Sequence, residues 1–245
     1  MASSGATGDL SQRTGRTAAI VPAAGRGERL GPGAPKALRL LGGQPMLVHA
    51  VRALAASRVV DLVVVAAPEE SVDEVAALLN DHDLGADASV VQGGETRQDS
   101  VARALLTLPD DVDIVLVHDA ARPLVPVEVV NAVVAAVADG HPAVVPALAV
   151  VDTVKEVDEG SVVTRTIERD RLRAIQTPQG FARAVLQRAH AEADLGVTDD
   201  AGLVEALGIP VLVIPGHEEA FKVTRPFDFV IAEAVLARRR ESRGG

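Results

Sequence analysis

A chain of 245 residues with 48% apolar side chains is long enough to bury one large core. Its formal net charge is −10, and its one notable basic run is Arg238-Arg239-Arg240, which argues against general binding to nucleic acid or to an anionic membrane. Aromatic residues make up only 2%, with no Trp or Tyr, so base-stacking platforms are missing; the absence of cysteine removes disulfides, thiolate metal sites and cysteine nucleophiles, and fits a cytoplasmic protein.

Residues 1–16 are rich in Ser, Gly and Thr and predict a flexible tail ahead of a single domain over 17–240. Strands are predicted at Thr17–Val21, Leu62–Ala67, Ala88–Val91, Ile114–Val117, Ala143–Val150 and Val211–Ile214. Amphipathic helices are predicted near Pro45–Ala56, Val72–Asn80, Arg97–Leu106, Val127–Ala138, Ala182–Ala193, Asp199–Leu207 and Pro226–Arg239. This alternation predicts an α/β fold: a Rossmann-like, mostly parallel sheet with helices on both faces. No apolar run approaches the ~18–20 residues of a membrane span. One segment breaks the rhythm. Asp152–Thr177 is highly charged, and its runs around Thr153–Val157 and Val162–Ile167 flank the turn signal Asp158-Glu159-Gly160. It reads as an inserted β-hairpin arm, or else as a plain surface excursion.

Chemistry concentrates in four clusters. Pro22-Ala23-Ala24-Gly25-Arg26-Gly27-Glu28-Arg29, with Pro35-Lys36, leaves the end of the first strand; a glycine loop with spaced cations there suits a phosphate. It is neither a dinucleotide fingerprint, since Leu30 stands at the third glycine position, nor a P-loop, since Lys36 precedes Ala37. A strand-to-helix turn carrying surface charge fits the same residues. Gln92–Ser100 opens a helix after a strand; Gly93-Gly94 lets backbone approach a flat ligand, Arg97 and Ser100 lie one turn apart, and Glu95 reads as a capping acid. His118-Asp119-Ala120-Ala121-Arg122-Pro123 ends an apolar strand. A carboxylate there suits Mg²⁺, which takes few protein ligands; Arg122 equally suits a salt bridge to Asp119, and His118 reads as structural. The other histidines share no ligand spacing. Finally, Thr198-Asp199-Asp200 reads as a helix start, and Lys222-Val223-Thr224-Arg225 precedes Pro226.

Taken together and in order, these motifs resemble the 2-C-methyl-D-erythritol 4-phosphate cytidylyltransferases of the non-mevalonate isoprenoid pathway. The likeness runs from about Thr17 to Ala237 and includes Asp152-Thr153-x-Lys155 and Thr177-Pro178-Gln179. It implies a nucleotidyltransferase-type fold and the reaction of CTP with methylerythritol 4-phosphate to give the CDP-sugar alcohol and pyrophosphate. It implies that Ala23, Ala24, Gly25 and Ala120 surround CTP, and that Gly93, Gly94 and Ser100 meet cytosine and ribose. Arg29, Lys36 and Lys222 match the catalytic cations, and Asp119 the Mg²⁺ ligand. Arg122, Thr153, Arg169 and Thr177 match contacts to the sugar phosphate, and the arm at about 152–177 matches the element through which these enzymes form homodimers. Arg26, Ala37, Glu95 and Gly202 depart from the family pattern without removing a catalytic group. Two rivals are a cytidylyltransferase for another sugar-alcohol phosphate, such as ribitol 5-phosphate, and a non-catalytic nucleotide-binding module. Retention of both Arg29 and Lys36 argues against the second.

Overall fold

The structure, a computed structural model, describes residues 15–24, 35–82, 84, 87–192 and 197–244. In chain order its elements begin with β1 (Arg16–Pro22), β2 (Leu40–Leu41), β3 (Gln44–Pro45), α1 (Met46–Ala55), β4 (Leu62–Ala67), α2 (Val72–Asn80), β5 (Asp87–Gln92), α3 (Arg97–Leu106), β6 (Val112–Val117) and α4 (Val127–Ala138). They continue with β7 (Ala143–Ala149), β8 (Val154–Val157), β9 (Val163–Ile167), β10 (Arg173–Ile175), β11 (Gln179–Ala182), α5 (Arg183–Glu192), α6 (Asp200–Ala206), β12 (Leu212–Pro215) and α7 (Pro226–Gly244).

β1 is the centre of the main sheet, with β4 and β6 parallel on its two sides. The chain first builds outward through β4 to β5, then crosses back past β1 to lay down β6. That reversal makes a switch point at the carboxyl ends of β1 and β6, where an open α/β sheet leaves a crevice for ligand. Beyond β6, β11 runs antiparallel to both β6 and β7, while β12 pairs with β7 in parallel.

Alternation along the strands assigns the two helix layers. Ala19 and Val21 of β1 point into one apolar cluster with Leu47, Val51 and Leu54 of α1, Val75 and Leu79 of α2, and Val130 and Val133 of α4. Ala18 and Ile20 point the other way, against Val101 and Leu105 of α3, Leu186 of α5 and Leu203 of α6. Both faces of the strand are thus covered, which is why these strands read as continuous Val/Ile/Leu runs. A third cluster seats α7 through Ala232 on Leu41, Met46 and Leu124.

Four details differ from expectation. β1 starts at Arg16, inside the stretch assigned to the tail, because Arg16 N–H donates to Asp111 O at 3.0 Å. β2, β3, β10 and β11 are strands that periodicity did not predict; each has only two to four residues. The hairpin is present as β8–β9, a separate two-stranded sheet, but the end of the 152–177 segment rejoins the main sheet as β10 on β7. The cap of α3 is Thr96, not Glu95: Thr96 Oγ1 accepts from Asp99 N–H while Asp99 Oδ2 accepts from Thr96 N–H, a reciprocal capping box.

Candidate active site

A cavity of about 240 Å³ opens at the switch point. Pro22, Ala23 and Ala24 line it from the end of β1, Lys36 and Ala37 from the turn before β2, and Asp119, Ala120 and Ala121 from the end of β6. Thr96, Arg97 and Ser100 enter from the start of α3, and Lys222 and Thr224 from the segment ahead of α7.

Hydrogen bonds to the backbone hold these walls. Ala23 N–H donates to Ala66 O at 2.8 Å, which extends the sheet one residue past β1. Gly93 N–H donates to Ala67 O at 2.7 Å, and Arg103 Nη1 donates to Gly93 O at 2.6 Å. A Cβ on Gly93 would sit 2.9 Å from both Ala24 Cβ and Ser100 Oγ, so only glycine lets the β5–α3 loop close against the β1 loop. Ser100, wholly buried, accepts from Gly94 N–H at 3.0 Å and donates to Thr96 O at 2.9 Å. The Lys222 segment is fixed by Val223 N–H donating to Ala121 O at 2.8 Å and by Asp228, whose Oδ2 accepts from Thr224 N–H and Arg225 N–H.

Asp119 is the electrostatic centre. Its Oδ1 accepts from Arg97 Nε at 3.2 Å and its Oδ2 meets Lys222 Nζ at 2.7 Å. Burial alone would raise its pKa, but Arg97 and Lys222 outweigh that and hold the carboxyl well below the usual carboxylate range. It is therefore an anion throughout the neutral range, in a cavity that also presents Lys36. Among the described residues no group of three or more His, Cys, Asp or Glu side chains is arranged to hold a metal. A single carboxylate on this cavity nevertheless fits Mg²⁺, which needs few protein ligands.

Beneath Asp119, His118 is fully buried and has both ring nitrogens engaged. Nε2 faces the carbonyl of Arg122 at 3.1 Å, an acceptor only, so it carries the proton. Nδ1 then accepts from the Thr177 hydroxyl at 3.0 Å, and the same hydroxyl accepts from Asp119 N–H at 3.0 Å. Burial pushes the imidazole pKa down to about 4. The unfolded chain binds this proton near pH 6.5, so its contribution to stability is complete above that value and is lost as pH falls toward 4. Histidine NMR should show the His118 ring neutral, as the Nε2–H tautomer, down to about pH 4; a midpoint near 6.5 contradicts the geometry. His118 is thus a strut under the Asp119 loop.

The comparisons with known proteins point one way. The 2-C-methyl-D-erythritol 4-phosphate cytidylyltransferase family profile matches residues 17–238. The chain belongs to that family. A Streptomyces coelicolor protein named 2-C-methyl-D-erythritol 4-phosphate cytidylyltransferase is 63% identical over 237 residues, covering 94% of this chain and 88% of that one. A similarly named Thermus thermophilus crystal structure is 39% identical, with a TM-score of 0.73 over 90% of this chain and 98% of that one. The 4-diphosphocytidyl-2C-methyl-D-erythritol synthase structure from Anaerococcus prevotii is 27% identical, with a TM-score of 0.79 over 92% of this chain and 100% of that one.

Of the residues that the family resemblance singles out, Ala23, Ala24, Lys36, Ser100, Asp119, Ala120 and Lys222 all line this cavity. Gly93 and Gly94 shape its wall from behind. Gly25 and Arg29 lie outside the described residues, as does Arg26. Thr177 is buried, its hydroxyl engaged with His118 and Asp119, so it supports the loop. Arg122 makes no salt bridge to Asp119 among those described; it donates to Ala220 O at 2.7 Å and Ile175 O at 3.1 Å, tying the Lys222 segment to β10. Its Nε is a buried donor without a partner among the described residues. Thr153 and Arg169 are exposed on the arm and outside the lining of the cavity. Sequence reasoning placed Arg97 in the second cluster but gave it no role. Its spacing to Ser100 was the available signal, and the structure puts it between two carboxylates, Asp119 and Asp200.

Proposed function

We infer that the chain transfers CMP from CTP to 2-C-methyl-D-erythritol 4-phosphate, releasing pyrophosphate, in isoprenoid precursor synthesis. The observation that carries this is the switch-point cavity, which Lys36, Lys222 and its ion-pair partner Asp119 line together with Pro22, Ala23 and Ala24, in a chain of this family. A sugar-phosphate oxygen attacks the α-phosphorus of CTP as the bond to the β-phosphate oxygen breaks, and pyrophosphate leaves. The nucleophile is already ionised at neutral pH, so no general base is needed. That fits a cavity whose neighbouring histidine is held neutral by burial, with both ring nitrogens taken by structural partners. The chain's task is to hold two anions together in line and neutralise them. Lys36, Lys222 and, from the sequence, Arg29 supply fixed positive charge; Ala23, Ala24, Gly25, Gly93, Gly94, Ser100 and Ala120 enclose the nucleotide. Asp119 would hold a divalent cation, which would supply further neutralisation and orientation of the triphosphate.

We place the second substrate contact in a homodimer. The β8–β9 ribbon is too small to be stable alone and leaves Val157 and Val163 half exposed, with Val151 and Val162 more so. A second copy covers it, and Thr153 and Arg169 then reach the sugar phosphate in the partner's cavity. Cytoplasmic location belongs to the same proposal. Among the described residues no helix is long and apolar enough to cross a membrane.

Steady-state pyrophosphate release with all four NTPs and a panel of sugar-alcohol phosphates, ribitol 5-phosphate included, tests the reading. CTP with methylerythritol 4-phosphate is expected to dominate; a preference for another pair overturns it. EDTA should abolish turnover and excess Mg²⁺ restore it, and Asp119→Asn should shift the Mg²⁺ requirement upward. Full activity in EDTA contradicts the role given to Asp119.

A further inference from the structure

Arg97 is the first residue of α3, where the helix dipole disfavours a cation. It is nevertheless held there by two carboxylates. Nε donates to Asp119 Oδ1 at 3.2 Å, and Nη1 donates to Asp200 Oδ2 at 2.6 Å. Burial opposes the guanidinium charge, but Asp200 and then Asp119 outweigh it. Asp200, the first residue of α6, is 1% exposed and does not line the cavity. Its other oxygen, Oδ1, accepts from His190 Nε2 of α5 at 3.0 Å. A carboxylate only accepts, so this nitrogen carries the proton. His190 Nδ1 is buried and has no partner among the described residues, so the bond to Asp200 is the one use the ring has there. The neighbouring Asp199 caps α6 and takes a 2.6 Å bond from Gln179 Nε2, while Gln179 Oε1 accepts from Ala201 N–H. The α6 end that carries Asp200 is therefore rigid.

We propose that Asp200, braced by His190, is a positioning residue for the transfer reaction. It fixes the Arg97 guanidinium so that Arg97 shares the charge of Asp119. With Arg97 in place, Lys222 is not the sole counter-ion of that carboxylate and is free to turn to phosphate. Without Asp200, Arg97 loses its buried anchor and more of the charge of Asp119 falls on Lys222. The inference rests on the proposed function, because it assigns Lys222 to the substrate phosphates.

The test is a double-mutant cycle on turnover of CTP and methylerythritol 4-phosphate. Asp200→Asn is expected to lower kcat by about tenfold or more, with the KM for CTP changed by less than about threefold. Arg97→Gln should lower kcat at least as much. The double variant should match Arg97→Gln alone to within about twofold, since Asp200 acts through Arg97. His190→Leu should lower kcat, and His190→Gln, which keeps an N–H donor for Asp200, should recover most of it. These histidine variants decide the matter if Asp200→Asn does not fold. Effects that multiply in the double variant, unchanged kcat in Asp200→Asn, or equal kcat in the two histidine variants each overturn the inference. Wild-type turnover is the control: normal turnover with a multiplicative cycle sinks this inference alone, whereas no turnover by wild type sinks the proposed function and this with it.

Discussion

Replacing Lys36 by alanine is expected to lower turnover by about 10²–10³-fold, the usual cost of one preorganised charge contact at a transition state. The fold should persist. Lys36 opens a short 3-10 turn whose packing is supplied by its neighbour Ala37, 5% exposed, and whose closure is the 2.9 Å bond from Leu38 N–H to Pro35 O. The alanine variant keeps both, so it should remain folded. Single-turnover measurements at saturating CTP read the chemical step, and thermal unfolding checks the fold. A folded Lys36→Ala protein with near-normal turnover removes the catalytic reading of the cavity.

Two nearly inactive variants, Lys36→Ala and Arg169→Ala, are expected to restore activity to each other when co-expressed. Lys36 lines the nucleotide cavity of its own chain, whereas Arg169 is exposed on the arm and donates to Val151 O. If the arm serves the partner, a mixed dimer has one site carrying both lesions and one carrying neither. Random pairing makes about half the dimers mixed, so roughly a quarter of wild-type activity returns in a two-fold dimer. Tagging the two chains differently and purifying the mixed species raises this to about half. Verified mixed dimers no more active than the parents would mean that the arm acts on its own subunit. A chain that sediments as a monomer would remove the shared site altogether.

Much of the fold is local in origin. β4, α2, α3 and α4 coincide with the segments predicted from periodicity, because each carries its own pattern and is long enough to show it. Chain order likewise exposed the loops that meet at the switch point: a phosphate-type loop after the first strand, a Gly-Gly turn and a carboxylate at a strand end are composition facts with chemical meaning. The strands that escaped are those whose identity depends on partners far along the chain. β11 is a strand because β6 and β7 offer it unpaired edges, and no pattern within Gln179–Ala182 announces that. The site divides in the same way. Lys36, Asp119 and Lys222 were legible as residue types in motifs. The Arg97 bridge to Asp119 was not, because Arg97 reaches Asp119 across 22 positions and Asp200 across 103. His118 likewise owes its neutrality to burial in the folded chain, and the partner of its Nδ1 is Thr177, which lies 59 residues away. A motif specifies which groups are present. Burial and long-range pairing specify which proton each group keeps and which charge it faces, and only the folded chain supplies those.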